Sequence, residues 1–174
     1  MSYTQDELLV LLMFAKSING FKDEFRWLSN FQKIDSFEYD GLIYDNVECF
    51  YVAMKVHKNN TSRVKQNQSS INLVEVNTRE YISKLPPNKA KVFGRHVQIR
   101  HDWEDIKLKV MEYGLRIKFN QPKMKELLIA TRDIEIFETN HWGDRYWGVD
   151  MSGVGENNLG KLIMKIRDSL SESE

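Results

Sequence analysis

The sequence has little cysteine, no net charge and no long hydrophobic run, and each shortage excludes a class of protein. Its single cysteine, Cys49, excludes an internal disulfide framework and is consistent with a reducing cytoplasm. Lys and Arg together number 25, as do Asp and Glu, so no net charge attracts nucleic acid or an anionic membrane over a distance. The longest apolar run, Leu8 to Ala15, is too short to span a bilayer, and acidic and polar residues precede it where a signal peptide has basic ones. These features predict a cytoplasmic protein that does not enter a membrane.

The common phosphate-binding and nucleophile motifs are also missing. The chain contains no G-x-x-x-x-G-K-[ST], no G-x-G-x-x-G and no G-x-S-x-G. Its histidines show no metal-ligand spacing with cysteine or with carboxylates, so we expect neither a metal site nor a cofactor. The four histidines are His57, His96, His101 and His141.

Capping residues and hydrophobic periodicity predict a predominantly α (α+β), single-domain, multihelical fold. The 174 residues are enough for one compact unit without disulfide support. Asp40-Gly41, between two short apolar segments, predicts a small antiparallel β-hairpin. The predicted helices run from Thr4 to about Lys16, from Asp45 past Met54, from Asn77 to before Pro86, from Asp102 to Phe119, from Pro122 to about Thr131 and from Leu159 to Leu170.

The remaining segments are predicted from their polarity and period. Residues 58–72 are polar and aperiodic, which predicts a long loop or insertion, and residues 134–137 predict a short strand. Asn19-Gly20 is expected to end the first helix. The helix from Asp102 has apolar residues on two faces, which predicts that it is central and largely buried.

The helix that Asp45 opens carries a carboxylate and an amine on one side. Glu48 and Lys55 are seven residues apart, with Tyr51 between them, at the border of the predicted buried face. Partial desolvation there raises the pKa of the acid and lowers that of the lysine, as proton transfer or nucleophilic attack at neutral pH requires. The alternative is that Glu48 is the N3 residue of a capping box and that Lys55 is a solvated cation.

A second candidate lies in the segment from His141 to Gly148 and the glycines that follow it. Trp142 and Trp147 each precede a glycine and flank the carboxylate of Asp144, with neither a helical nor a strand period. Stacking faces, close backbone approach and an acid suit a planar, polar ligand such as a nucleotide base. A purely structural cap remains an equal alternative.

Two further groups of residues have both a ligand-binding and a structural interpretation. The guanidinium groups of Arg95, which follows Gly94, and of Arg100 match the geometry of phosphate or pyrophosphate oxygens. For Arg100, a surface ion pair with Asp102 or Glu104 is the favoured interpretation. The segment Phe25 to Phe31 joins aromatic rings to small polar groups, and its Ser29-Asn30 either turns the chain or binds a ligand.

Together these segments resemble the NADAR family, also called YbiA-like N-glycosidases, in order from about Phe21 to Arg167. The resemblance is carried by the series as a whole, since each motif alone is weak. The motifs are Trp27-Leu28-Ser29-Asn30-Phe31, Glu48 with Lys55, Gly94-Arg95, Arg100-His101-Asp102-Trp103-Glu104, Met111 with Lys118-Phe119, Asp144-Arg145-Tyr146-Trp147-Gly148, and Asn157-Asn158-Leu159-Gly160-Lys161-Leu162-Ile163-Met164. The resemblance implies a NADAR domain over residues 21–170. The first helix lies outside the pattern and is expected to form an N-terminal extension over residues 1–20 packed on the core, and the Ser/Glu-rich tail over residues 171–174 is expected to fray.

The resemblance also implies an activity and roles for residues. Members of the family hydrolyse the N-glycosidic bond between a base-like group and ADP-ribose or ribose phosphate. By this resemblance Lys55 attacks C1 of an opened ribose as a Schiff base, Glu48 is the general acid or base, and Asp144 orients substrate or adds a second acid–base group. The substrate-binding positions predicted with them are Ser29, Asn30, Tyr51, Gly94, Arg95, Trp103, Tyr146, Trp147, Gly148 and Asn157.

Two departures from the family pattern bear on the substrate. The family commonly has Ser-Glu-His where this chain has Val47-Glu48-Cys49. Because Cys49 replaces the histidine of the family, a role of that histidine is in doubt for this chain, and an altered choice of substrate is expected. The segment between Lys55 and Gly94 is longer than usual, so residues 58–72 are expected to be a lid or contact surface. Basic residues within this segment are expected to place a modified base of a nucleic acid in the pocket; these are Lys58, Arg63 and Lys65.

The expected substrates are therefore small molecules or nucleic-acid-attached groups that carry ADP-ribosyl or ribosyl phosphate. ADP-ribosylated guanine is slightly favoured over the ribosylamine phosphates of riboflavin synthesis. The alternatives are a module that binds ADP-ribose or a related nucleotide without cleaving it, and a protein that self-associates through its leucine-rich first helix.

Overall fold

The computed structural model describes residues 3–65 and 72–172. Within these residues the chain forms seven α-helices, one 3₁₀ helix and three two-stranded sheets. It divides into two compact units, the first made of residues 1–32 and 115–174 and the second of residues 33–114. The fold is α+β and predominantly helical, as the sequence predicts.

The first unit combines helices with one parallel strand pair. The unit contains α1 (Gln5–Phe14), β1 (Ser17–Asn19), the 3₁₀ helix Asp23–Leu28, α6 (Pro122–Ala130), β6 (Glu135–Phe137) and α7 (Asn158–Ser171). Thr4 and Glu7 form the predicted capping box of α1, which packs on α6. β1 pairs in parallel with β6, and Ile18 lies opposite Ile136 with both side chains fully buried.

The second unit places two antiparallel strand pairs beside three short helices. It contains β2 (Phe37–Tyr39), β3 (Leu42–Tyr44), α2 (Val47–Met54), β4 (Thr61–Lys65), β5 (Leu73–Asn77), α3 (Thr78–Ser83) and α4 (Pro87–Phe93). The predicted hairpin is confirmed, because β2 and β3 are antiparallel and Asp40 and Gly41 both have positive φ, at 58° and 77°. α2 packs on both α3 and α4.

Three local predictions are wrong. Residues 61–65 and 73–77, in or beside the predicted loop 58–72, form the antiparallel pair β4–β5; residues 66–71 lie outside the described residues. β4 buries only Val64 and otherwise carries polar side chains, so it has no hydrophobic alternation to reveal it. The helix α4 is not among the predicted helices, because Pro86-Pro87 also fits the end of the preceding helix, whereas Pro87 is the first residue of a new one. Asn19-Gly20 does not end the first helix, because α1 ends at Phe14 and the strand β1 follows it; with one buried residue, β1 is too short to show a period.

The long helix α5 (Trp103–Phe119) is confirmed, but the expectation that two of its faces are buried is wrong. Met111, Leu115 and Phe119 are buried on one predicted face, where Leu108 is nevertheless 40% exposed, and Ile106, Val110 and Ile117 on the other face are only half-buried. The other predicted helices are confirmed, and α7 continues to Ser171, one residue into the predicted tail. Among residues 3–65 and 72–172, no helix is both long and apolar enough to cross a bilayer.

Candidate functional site

The first turn of α2 shows that Glu48 is not an N3 capping residue. Asn46, rather than the predicted Asp45, is the N-cap, and its Oδ1 accepts a hydrogen bond from the Cys49 amide at 2.8 Å. The Asp45 carboxylate instead accepts from Asn46 Nδ2 at 2.8 Å. Glu48 is therefore the second helical residue, which weakens the capping interpretation of this side chain.

Glu48 and Lys55 lie on one side of α2 at its two ends. Every residue of α2 is buried, and Glu48 is only 8% exposed. Lys55 is the half-buried C-cap residue, two helical turns from Glu48. Burial and repulsion from Lys91 and Arg95 lower the pKa of Lys55, and the negative charge of Glu48 opposes this shift. The arrangement therefore increases the neutral, nucleophilic fraction of the Lys55 amine near neutral pH.

Aromatic rings border the Lys55 ammonium group. Its Nζ lies 5.5 Å from the centroid of the Tyr51 ring, which is 5.0 Å from the ring of Trp103 at the start of α5. The carbonyl oxygen of Lys55 accepts a hydrogen bond from the Arg100 amide at 2.8 Å. The structure thus brings together three predicted residues, Tyr51, Lys55 and Trp103, within the second unit.

Gly94 contributes to this cluster through packing. It is the buried C-cap of α4, and a Cβ added there would lie 2.5 Å from Cγ1 of Val52 on α2. The glycine therefore allows α4 to approach α2 closely. Arg95 follows as an exposed residue whose charge acts on Lys55.

Arg100 is paired within its own segment. Its guanidinium makes two hydrogen bonds to the Asp102 carboxylate, at 2.5 Å and 2.8 Å. The pair lowers the pKa of Asp102 to about 2. The surface pairing favoured for Arg100 is confirmed, and this leaves Arg95 as the stronger of the two candidates for an anionic ligand.

Cys49, where the family commonly has histidine, is fully buried. Its Sγ donates to the carbonyl oxygen of Leu85 at 3.2 Å, and burial raises the pKa of the thiol to about 11. This position is therefore used in packing within the second unit.

In the first unit, a buried lysine holds the turn at Ser29-Asn30. Lys118 is fully buried, and its Nζ donates to the carbonyl oxygens of Leu28 and Ser29 at 3.0 Å and 2.7 Å. Burial lowers the pKa of Lys118 well below its ordinary value. Ser29 Oγ accepts from the Phe31 amide at 3.1 Å, so the predicted turn is present. Sequence reasoning gave Lys118 no role of its own, although its position on the Met111–Leu115 face of α5 was a usable signal.

The loop that carries Asp144 is held together by its own side chains. Asp144 Oδ1 accepts hydrogen bonds from the Tyr146 and Trp147 amides at 3.2 Å and 2.9 Å. Asn140 Oδ1 accepts from the Asp144 amide at 3.0 Å, while Asn140 Nδ2 donates to the Asp144 carbonyl at 2.7 Å. One carboxylate oxygen of Asp144 is therefore used to shape the turn that presents Tyr146 and Trp147.

Asn157 and Gly148 complete the same loop. Asn157 is buried in the left-handed conformation with φ 52°; it accepts from the Glu138 amide at 3.1 Å and donates to the Ile136 carbonyl at 2.9 Å. A Cβ on Gly148 would overlap the carbonyl oxygen of Glu138. Both predicted binding residues thus have structural functions that account for their identity.

The predicted site residues form two sets, which the structure describes separately. The second unit holds Glu48, Tyr51, Lys55, Gly94, Arg95 and Trp103, and the first unit holds Ser29, Asn30, Asp144, Tyr146, Trp147, Gly148 and Asn157. Within residues 3–65 and 72–172, no group of three or more His, Cys, Asp or Glu side chains is arranged to hold a metal ion.

Comparisons with known proteins agree on one family. The NADAR domain model matches residues 14–171. The riboflavin biosynthesis protein VVA0006 of Vibrio vulnificus (strain YJ016) is 44% identical over 75 residues, which cover 42% of this chain and 20% of that protein. N-glycosidase YbiA of Shigella boydii serotype 4 (strain Sb227) is 38% identical over 97 residues, or 53% of this chain and 60% of that protein.

Fold similarity extends over nearly the whole chain. The NMR structure of the E. coli protein YbiA superposes with a TM-score of 0.69 at 28% identity, covering 92% of this chain and 88% of that one. By sequence, the matches span one fifth and about three fifths of the two curated relatives. The match to residues 14–171 and the YbiA-like fold show that the chain belongs to the NADAR domain family.

Proposed function

We propose that this chain is an N-glycosidase that hydrolyses the bond between a base-like group and C1 of a ribosyl phosphate or ADP-ribosyl group. The observation that carries the proposal is the pair on α2, a buried carboxylate and a half-buried lysine whose pKa is lowered. The names of the relatives, N-glycosidase and riboflavin biosynthesis protein, are consistent with it.

In the proposed reaction Lys55 is the nucleophile. Its neutral amine attacks C1 of the opened ribose, and the bond from C1 to the nitrogen of the base breaks as the leaving nitrogen takes up a proton. As the base leaves, the lone pair on Nζ forms a second bond to C1, which gives a protonated Schiff base between Lys55 and the sugar, whose C1–O4 bond is already broken in the opened form. Water adds to C1, the C1–Nζ bond breaks, and the products are the free sugar, the released base and the regenerated amine.

Glu48 supplies and removes the protons in this scheme. A carboxyl group that is 8% exposed is shielded from bulk water, which favours direct proton transfer to the leaving nitrogen. The same group, once ionised, accepts a proton from the attacking water. Tyr51 and Trp103 provide the ring surface beside Lys55 on which the sugar or base packs.

The loop from Asn140 to Asn157 is assigned to substrate orientation through Tyr146 and Trp147. Their rings are half-buried and in edge-to-face contact at 5.1 Å. Asp144 fixes the backbone of both aromatic residues, so we propose that it orients them. The substitution Asp144→Asn tests the acid–base role that the resemblance implies for it.

The deciding experiment compares two substrates with one preparation of the protein. ADP-ribosylated guanosine and a ribosylamine phosphate of riboflavin synthesis are incubated separately, and the released base and sugar are quantified by chromatography. We expect turnover of at least one, with ADP-ribosylated guanosine slightly favoured. Calorimetric binding of ADP-ribose with no product release from either substrate over hours would contradict the enzyme and support a binding module.

The reducing cytoplasm remains the proposed location, in agreement with a single, buried cysteine. Substrates attached to nucleic acid are part of the proposal because Arg63 and Lys65 lie on β4 and Lys58 close by. Lys58 is paired with Asp40 at 3.0 Å, so a phosphate contact there would compete with that ion pair.

A further inference from the structure

We propose that Lys91 and Arg95 form a phosphate-binding subsite beside Lys55, which takes the phosphate on O5 of the ribosyl substrate. This inference rests on the proposed function, since it assigns one part of the substrate of that site. It adds Lys91, which the sequence did not single out, and it assigns the phosphate that the sequence already suggests for Arg95 to O5 of the ribose.

The packing of α4 on α2 places these cations on the same side. Ala90 and Gly94 are buried one helical turn apart, and Gly94 fits against Val52, one turn before Lys55. Lys91 and Arg95 each follow one of these buried residues, so they too are one turn apart on α4 and its C-terminal extension. The two side chains therefore extend from neighbouring positions at the border of the α2–α4 interface.

One carboxylate and two cations act on the charge of the Lys55 amine. Glu48 contributes one negative charge, whereas Lys91 and Arg95 contribute two positive charges that act on the Lys55 amine. An anion bound between the cations would relieve their mutual repulsion, which is the condition under which a cluster of like charges becomes a ligand site.

Neighbouring cations of the second unit already have carboxylate partners. Arg100 is paired with Asp102, Lys84 with Glu80 at 2.7 Å, and Arg79 with Asp40 at 3.1 Å. Arg95, by contrast, makes no ion pair with a carboxylate among residues 3–65 and 72–172 and is exposed. Its guanidinium fork is thus available for two phosphate oxygens, and Lys91 adds a point charge.

A phosphate ester fits this site better than a carboxylate does. The fork of arginine with an adjacent lysine supplies donors in several directions, as three non-bridging oxygens require. Both proposed substrate classes carry a phosphate on ribose O5, as a monoester or as the first phosphate of a diphosphate. The subsite therefore recognises what the two classes share.

The test measures equilibrium binding by calorimetry with ribose, ribose 5-phosphate and ADP-ribose. Ribose and ribose 5-phosphate present the same C1, so any Schiff base with Lys55 contributes to both, and the ratio of their affinities isolates the phosphate. We expect ribose 5-phosphate to bind about tenfold or more tightly than ribose, as charge-assisted hydrogen bonds provide. The double variant Lys91→Gln/Arg95→Gln should bring this ratio close to one.

Lys89→Gln is the matched control, since it removes one charge from the exposed surface of the same helix. It should leave the ratio unchanged, and thermal unfolding should show that all variants remain folded. Tighter binding of ADP-ribose than of ribose 5-phosphate, lost in the same double variant, would identify the diphosphate as the source. Tighter binding of the monoester would identify the ribosyl phosphate.

Equal affinities for ribose and ribose 5-phosphate in the wild type, or no binding of either, would overturn the subsite. So would an unchanged ratio in the double variant. Hydrolysis of the N-glycosidic bond is measured in parallel to separate the two proposals. Hydrolysis without phosphate preference contradicts the subsite alone, and phosphate-dependent binding without hydrolysis contradicts the enzyme alone.

Discussion

The two regions that carry the predicted site residues differ in how their polar side chains are used. On α2, Glu48 is buried beyond the needs of helix capping, and Lys55 carries a shifted pKa among other charges. In the loop from Asn140 to Asn157, the side chains of Asn140, Asp144 and Asn157 each hydrogen-bond to the backbone. A charge whose pKa is shifted by burial and by neighbouring charges points to chemistry, whereas a polar group occupied by the backbone indicates scaffolding.

This difference predicts that substitutions on α2 reduce activity and that substitutions in the loop reduce stability. Substitutions in both regions test this division.

Lys55→Arg keeps the positive charge but removes the nucleophilic amine. We expect kcat to fall by on the order of 10³-fold or more, because Arg forms no Schiff base, while the midpoint of thermal unfolding stays within a few degrees of the wild type. Hydrolysis assays and calorimetric unfolding measure the two quantities. A variant that keeps most of its activity would mean that Lys55 acts only through its charge.

Glu48→Gln keeps the shape of the side chain and removes its charge. General acid–base catalysis typically contributes about 10²-fold or more, so kcat should fall by that factor. Because the charge of Glu48 raises the pKa of Lys55, the variant should lower that pKa further. Reductive methylation of Lys55, followed by mass spectrometry, should then begin at lower pH.

We expect the pKa of Lys55 to rise in the double variant Lys91→Gln/Arg95→Gln. These cations lower the pKa of Lys55, so their removal should move its methylation to higher pH, and Lys89→Gln should leave it unchanged. Identical methylation profiles for the wild type, Glu48→Gln and this double variant would show that the charges on α2 and α4 do not act on Lys55.

Gly148→Ala and Gly94→Ala compare the two regions at positions where a glycine permits close approach. The new Cβ at Gly148 overlaps a backbone carbonyl, whereas at Gly94 it meets mainly the side chain of Val52. We expect Gly148→Ala to reduce the free energy of unfolding by about 2–3 kcal/mol and Gly94→Ala by less, since a side chain adjusts more easily than backbone. Urea denaturation measures both, and the reverse order would contradict the packing described for the loop.

Asp144→Ala and Asp144→Asn separate the two roles considered for Asp144. Alanine leaves two backbone amides without their acceptor and should cost about 1 kcal/mol of stability. Asparagine keeps an oxygen at the same position, so it should retain both the turn and most of the activity. A stable but inactive Asp144→Asn would instead establish Asp144 as an acid–base group.

Much of the fold was predictable because most helices have clear start and stop signals. The capping box at Thr4 and Glu7 and the turn at Asp40-Gly41 are local, so the sequence alone specifies them. The strand β4 was not predictable in the same way, since its single buried residue gives no pattern and its pairing with β5 depends on a partner across the intervening segment.

The candidate site was likewise predictable where it depends on local spacing and not predictable where it depends on packing between distant segments. The spacing of Glu48 and Lys55 placed them on one side of a helix, whereas the burial of Glu48 and the influence of Lys91 depend on how α4 packs on α2. The structural use of Lys118 is not predictable from local sequence, because the two backbone carbonyls that accept its hydrogen bonds in the interior belong to a turn far away in the chain. The hydrogen bonds of Asp144 similarly require the three-dimensional course of the loop.

The most direct test of the central claim is borohydride trapping during turnover of ADP-ribosylated guanosine or of the ribosylamine phosphate. Reduction of a Schiff base should leave the sugar covalently attached to Lys55, as peptide mass spectrometry will show, and Lys55→Arg should yield no adduct. Hydrolysis that proceeds at the wild-type rate in Lys55→Arg, with no adduct on the wild-type protein, would contradict the account.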